Sequence, residues 1–130
     1  MNKELVQNIN KELENNTTQE VIEYFLTKFK NVKLSSSLAA EDQVLTDIIL
    51  KQDKKATICT SDTGRLHPET YDVMEPTNYK YGVKIDVFFP QNEKVQELYQ
   101  NQGVNGHYES IENRKACCNI RKIEPLKRAL

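Results

Sequence analysis

An open α/β fold with a parallel sheet is the architecture this sequence predicts, and two patterns predict it. Short β-prone runs alternate with helical segments of about 10–15 residues, and helix start and stop residues fall between them. The chain has 130 residues, which fits one domain of ~100–150 residues. No internal repeat, low-complexity tract or Gly/Ser linker divides it. Residues 1–30 are expected to form a helical lead-in and residues 31–130 the α/β unit.

The lead-in reads as two helices. Leu5, Val6, Ile9 and Leu13 share one helical face, and Val21, Ile22, Phe25, Leu26 and Phe29 share the next. Thr17 and Thr18, with Glu20 just after them, supply capping oxygens and an acidic first turn for the second. The first strand is expected at Val32 to Ser35, followed by a helix from Glu41 to Gln52 whose Val44, Leu45, Ile48 and Ile49 recur at helical spacing. Ala56 to Thr60 is the second strand. Pro68 suits the first turn of the following helix, where its missing N–H costs nothing, and Gly82 stops that helix after Tyr81. Val83 to Phe89 is the third strand, ended by Pro90. Val95, Leu98 and Tyr99 mark one more helix, and the last part of Ile111 to Leu130 is helical with Pro125 as an interruption.

Charge narrows the function. Lys and Arg number 18 against 19 Asp and Glu, a net charge of -1, so the excess of cations that a nucleic-acid surface needs is missing. The polar N-terminus and the lack of a long apolar run predict neither signal peptide nor membrane span, hence a cytoplasmic protein. Three cysteines, two of them adjacent, are no disulfide framework and raise thiol or metal chemistry instead.

In open parallel sheets, ligands bind outside the carboxyl ends of the strands. That rule selects Ser35 to Ala40, Ser61 to His67 and the segment after Phe89. Ser35-Ser36-Ser37-Leu38-Ala39-Ala40-Glu41-Asp42 leaves a strand and enters a helix, where free N–H groups, the helix dipole and serine hydroxyls favour a phosphate or sulfate. Capping by Ser37 or a neighbour, with Glu41 and Asp42 complementing the dipole, accounts for the same residues. The phosphate-loop pattern GxxxxGK[ST] is absent. Asp62-Thr63-Gly64 resembles an aspartic-protease tripeptide, but those enzymes need two carboxylates sharing a proton in an all-β setting. At a strand's carboxyl end, Asp62 and Thr63 suit ribose or adenine and Arg65 an anion; a left-handed turn at Gly64 is the plainer reading. Cys117 and Cys118 sit among Arg114, Lys115, Arg121 and Lys122, cations that would lower thiol pKa values or offset a thiolate-bound metal. Two structural thiols fit as well. His67 and His107 are isolated, and no chemistry is assigned to them.

Three segments, SSSLAAEDQVLTD, TSDTGRLHPETYDV and NGHYESIENRKACCNIRKIEPLKRAL, stand in the order and spacing of the assimilatory adenylyl-sulfate (APS) reductases. From about Val32 to the last residue the chain resembles that branch of the APS/PAPS reductase family. The resemblance implies a parallel sheet of the adenine-nucleotide α-hydrolase type, with residues 31–130 as a partial APS-binding domain. It implies that Ser36 and Ser37 receive the phosphosulfate, that Glu41 is the acidic residue at the start of the loop's helix, and that Ser61, Asp62 and Thr63 border the adenosine. Ser61 departs from the leucine usual there. Cys117 and Cys118 match the tandem pair that ligates a [4Fe-4S] cluster, and Lys122, with Arg121 beside it, matches a lysine between cluster and substrate. The tandem pair favours APS over PAPS.

Family chemistry is implied too: a cysteine thiolate attacks the sulfur of APS, AMP leaves, and thioredoxin releases sulfite from the resulting S-sulfocysteine. In the family that cysteine, a second pair of cluster cysteines, further arginines and the strands beside the first strand lie beyond the region matched. The expectation is therefore an N-terminal portion, truncated after three strands, with an incomplete cluster ligand set, no catalytic nucleophile and an unpaired first strand. A PAPS reductase, a non-catalytic nucleotide-binding remnant and a homo-oligomer that pools its cysteines are the alternatives.

Overall fold

Capping chemistry sets where the helices begin. The computed structural model of the chain describes residues 2–130, so Met1 of the expected lead-in lies outside the described residues. Helix α1 (Lys3–Glu12) starts where Asn2 accepts the Glu4 N–H. Helix α2 (Thr18–Lys28) starts with a capping box: the Glu20 N–H donates to Thr17 Oγ1 and the Thr17 N–H donates to Glu20 Oε2 at 2.7 Å. Such a cap is worth ~1 kcal/mol. The expected apolar face of α1 narrows to one buried residue, Ile9; Leu5 and Val6 are exposed because little packs over this first helix.

Strands β1 (Lys33–Ser35), β2 (Thr57–Ser61) and β3 (Asp86–Phe88) form a parallel sheet in the order β1-β2-β3, with Leu34 beside Ile58 and Thr60 beside Val87. Helices α3 (Ala40–Gln52) and α4 (Pro68–Tyr81) make the crossovers. Pro68 stands in the first turn of α4, and Gly82 closes it in the left-handed conformation at φ 65°. The third strand begins later than expected. The Val83 N–H donates to the Asn78 carbonyl and the Ile85 N–H to Asn78 Oδ1, so the end of α4 takes the groups that would have extended the ladder.

Leu38, Ile49, Leu50, Ile58 and Ile85 form the buried core, with Ile22 of α2 and Met74 and Tyr81 of α4 packed against it. Each fully buried aliphatic side chain contributes roughly 1.5–3 kcal/mol. Val44 points to solvent instead, 59% exposed, and the buried face of α3 is Thr46, Ile49 and Leu50. The sheet covers one stripe of that helix, and Val44 lies off it.

Beyond β3, α5 (Asn92–Gln102) leads through a short 3-10 turn at Gly106–Tyr108 into α6 (Ile111–Cys118). Pro125 does not interrupt the helical end of the chain. A wide π turn, Asn119–Ile123, joins α6 to α7 (Glu124–Ala129), and the Glu124 N–H donates five residues back to the Asn119 carbonyl. An ordinary turn would press the proline ring on the carbonyl four residues earlier; the wider turn relieves that contact. Lys33 and Arg128 tie α7 to the sheet, Lys33 donating to the Ala129 carbonyl and Arg128 to that of Phe89. No helix among the described residues is long and apolar enough to cross a membrane.

Candidate functional site

The carboxyl ends of β1 and β2 open into a cavity of about 320 Å³ lined by Ser36, Ser37, Asp42, Thr60, Ser61, Thr63 and Lys122, among others. Six of its ten lining residues carry a hydroxyl, and Leu66 and Leu126 add apolar surface. Lys122 is exposed and has no ion-pair or hydrogen-bond partner among the described residues. Asp42 is the one carboxylate in the lining.

The serine loop is held from three sides. The Ser36 N–H donates to the Cys59 carbonyl at 2.8 Å, continuing the β1–β2 pairing, and buried Ser36 Oγ accepts the Leu38 N–H at 3.0 Å. Leu38 sits at φ 65°, where a side chain costs roughly 1–2 kcal/mol, and its burial in the core offsets that cost. Ser37 presents both of its donors to one atom, Asp42 Oδ2, at 2.5 Å from the backbone N–H and 2.6 Å from Oγ. The alternative reading, a side-chain cap from Ser37 or a neighbour, is not what starts α3: its N-cap is Ala39, without a side-chain bond. Glu41 is exposed and outside the lining; Asp42, one residue on, takes the place facing the cavity.

The second loop divides its residues. Ser61 and Thr63 line the cavity. Asp62 does not: it is buried, with Oδ1 accepting the Gly64 N–H and Oδ2 the Tyr71 hydroxyl, both at 2.8 Å. The hydrogen bond to Asp62, helped by desolvation, pushes the Tyr71 phenol above its ordinary pKa. Asp62 thus shapes the turn, and Gly64 in that turn is left-handed at φ 70°.

Arg121 also stands apart from the large cavity. The π turn carries it inward to 5% exposure, with Nη1 donating to the Thr63 carbonyl at 2.6 Å and the guanidinium 5.2 Å from the Tyr99 ring centroid. Its Nε and Nη2, like Gln102 Oε1, make no hydrogen bond among the described residues. These side chains, with Arg65, His107 and Cys117, surround a second cavity of about 10 Å³, room for about one water molecule. His107, set aside on sequence grounds, lies against Arg65 at 3.3 Å.

Cys117 and Cys118 are free and half-buried at the end of α6. Consecutive helical residues diverge by about 100°, and Cys117 alone lines the small cavity. Cys59 is 1% exposed on β2, and burial pushes its thiol above the ordinary value despite nearby Lys33. Among the described residues no group of three or more His, Cys, Asp or Glu side chains is arranged to hold a metal ion.

Asp42 and Tyr99 are what sequence reasoning missed. A signal for Asp42 existed in Ser37 and Asp42 standing five apart across a helix start; none existed for Tyr99, which meets Arg121 only through the tertiary fold.

A parallel α/β domain with its crevice at a sheet's carboxyl edge is the class defined by these features. Residues 31–130 match the phosphoadenosine phosphosulfate reductase domain, and the chain belongs to that family. It is 48% identical over 99 residues to the adenosine 5'-phosphosulfate reductase of Burkholderia cepacia, covering 76% of this chain and 40% of that protein. The Allochromatium vinosum protein of the same name is 38% identical over 111 residues, covering 85% of this chain and 43% of the relative. The chain therefore spans about two fifths of the length of these curated relatives. A crystal structure of phosphoadenylyl-sulfate (PAPS) reductase from Candida auris, in complex with phosphate, has the same fold, with a TM-score of 0.79 at 22% identity over 99% of this chain and 62% of that one.

Proposed function

We propose that this region forms the nucleotide-facing part of an APS reductase, with the phosphosulfate received at the serine loop and Lys122 and the adenosine bordered by Ser61 and Thr63. One observation carries the reading. The strand-end cavity is lined with hydroxyls and contains a lysine that no carboxylate neutralises. An ammonium and hydroxyl donors together suit a phosphate or sulfate group. The relatives named for APS favour that substrate over PAPS.

Reduction of APS to sulfite and AMP, with thioredoxin as reductant, is the activity to which this region would contribute. The three thiols are unequal candidates for the attack on sulfur. Cys59 is excluded by burial and by its raised pKa, since the thiolate is the nucleophile. Cys117 and Cys118 are the thiols this region would offer to a [4Fe-4S] cluster, and at Cys117 the unpartnered N–H groups of Arg121 favour a negatively charged neighbour. They are two ligands where a cubane cluster takes four, so the remaining thiolates must come from outside these residues. The cluster, when bound, would add a thiolate-ligated charge near the substrate. Among this chain's own groups, Lys122 would bind and orient the anion.

Lys122→Ala tests the assignment by calorimetry. AMP affinity should fall about tenfold, the scale of one charge-assisted hydrogen bond, while adenosine affinity stays level. Equal losses for AMP and adenosine, or no loss for either, would remove Lys122 from the anion site.

A further inference from the structure

The strand-end cavity already contains an anion, and it belongs to the protein. Asp42 Oδ2 accepts both the Ser37 N–H and the Ser37 hydroxyl, at 2.5 and 2.6 Å. One oxygen taking two converging donors is how a phosphate or sulfate oxygen would sit there. Across the same cavity Lys122 remains without a carboxylate partner, so the carboxylate has taken the loop's donors and left the cation.

We propose that Asp42 is an internal stand-in for the ligand's anionic oxygen, which must release Ser37 before a phosphate or sulfate group can engage that residue, and that this competition sets the site's affinity for anions. The inference rests on reading the cavity as the nucleotide's anion site. Two negative groups cannot share the two donors, and the carboxylate repels an anion brought to within hydrogen-bond distance of them. The loop does not need Asp42 to keep its shape. Ser36 is anchored to the Cys59 carbonyl, Ser36 Oγ holds the Leu38 N–H, and Leu38 is buried in the core. Neutralising Asp42 therefore leaves the Ser37 donors in place with a weaker competitor. A purely structural role, in which Asp42 only steadies the start of α3, predicts the opposite sign.

The probes are AMP, inorganic phosphate and adenosine, titrated into the wild-type chain and the Asp42→Asn variant, with folding followed by circular dichroism. Asp42→Asn should bind AMP and phosphate about tenfold more tightly, as expected when a charge-assisted contact becomes a neutral one, with adenosine unchanged. If the wild type prefers AMP to adenosine and the variant binds AMP no better, the role of Asp42 is overturned and the nucleotide reading stands. If neither protein prefers AMP to adenosine, the anion-site reading falls and the inference with it. Asp42→Ser, which keeps an oxygen at the start of α3, carries the same expectation should the asparagine variant unfold.

Discussion

Two cavities flank the Thr63–Gly64 turn, and they are built on opposite principles. The one at the strand ends is about 320 Å³, with serines and threonines among its lining and its cation exposed and unpaired among the described residues. The one behind the turn is about 10 Å³, and its guanidinium is buried, stacked on Tyr99 and bonded to the Thr63 carbonyl. Adjacent residues of one π turn serve them both, Lys122 the first and Arg121 the second. An exposed lysine without a partner is available to a ligand, whereas an arginine held by a carbonyl and an aromatic ring keeps a backbone in place. The first cavity is suited to a guest and the second to positioning, so substitutions should separate the two.

Arg121→Ala should show the largest effect. It removes a buried side chain that spans from the π turn to the Thr63 carbonyl and leaves a void, so a loss of about 2–4 kcal/mol in urea denaturation is expected. Arg121→Met refills the volume and removes the two donors that have no partner; its loss should be roughly half as large. Equal losses for the two variants would mean that charge, and not filling, is what the small cavity requires.

Gly64→Ala sharpens the contrast at its boundary. Gly64 is at φ 70°, and a Cβ there would stand 3.3 Å from Arg121 Nη1. Left-handed strain alone predicts a loss of about 1–2 kcal/mol, measurable by thermal melting. Gly64→Ala in the Arg121→Met background should cost less than in the wild type, because the crowded atom is gone. Strict additivity would show that the turn and the arginine are independent.

Much of the scaffold was legible because it depends on local chemistry. The Thr17 box, Pro68 in a first turn and Gly82 at a left-handed stop act through the backbone within a few residues, and the alternation of strands and helices yields a parallel sheet by rule. What misled was tertiary. Asn78 captured backbone groups of the third strand, the sheet covered a stripe of α3 that omits Val44, and a π turn accommodated Pro125. The site divides in the same way. The strand-end rule located the cavity and its serines, but whether Asp62 and Arg121 face a ligand or brace a turn depends on Tyr71 and Tyr99, partners 9 and 22 residues away along the chain. Glu41 and Asp42 differ by one step around a helix, which composition cannot resolve.

Asp47 supplies a reference that lines neither cavity, and its expected effect is the smallest. Lys51 bonds it at 2.7 Å and the Tyr81 hydroxyl at 2.6 Å, linking α3 to α4. The Lys51 contact first, then Tyr81, holds its carboxyl below the ordinary value. A carboxylate whose pKa is lower folded than unfolded stabilises the fold above the unfolded value, about pH 4, and loses that contribution as the pH falls through the folded value. Asp47→Asn should therefore lower stability modestly at neutral pH and flatten the decline on acidification, seen in urea midpoints from about pH 6 to about pH 2. Affinity for AMP at neutral pH should not move, since neither the serine loop nor the π turn touches this pair. A change in AMP affinity without a change in acid sensitivity would mean that α3 transmits strain to Asp42, and the division of labour between the two cavities would then extend into the helix that joins the core to the serine loop.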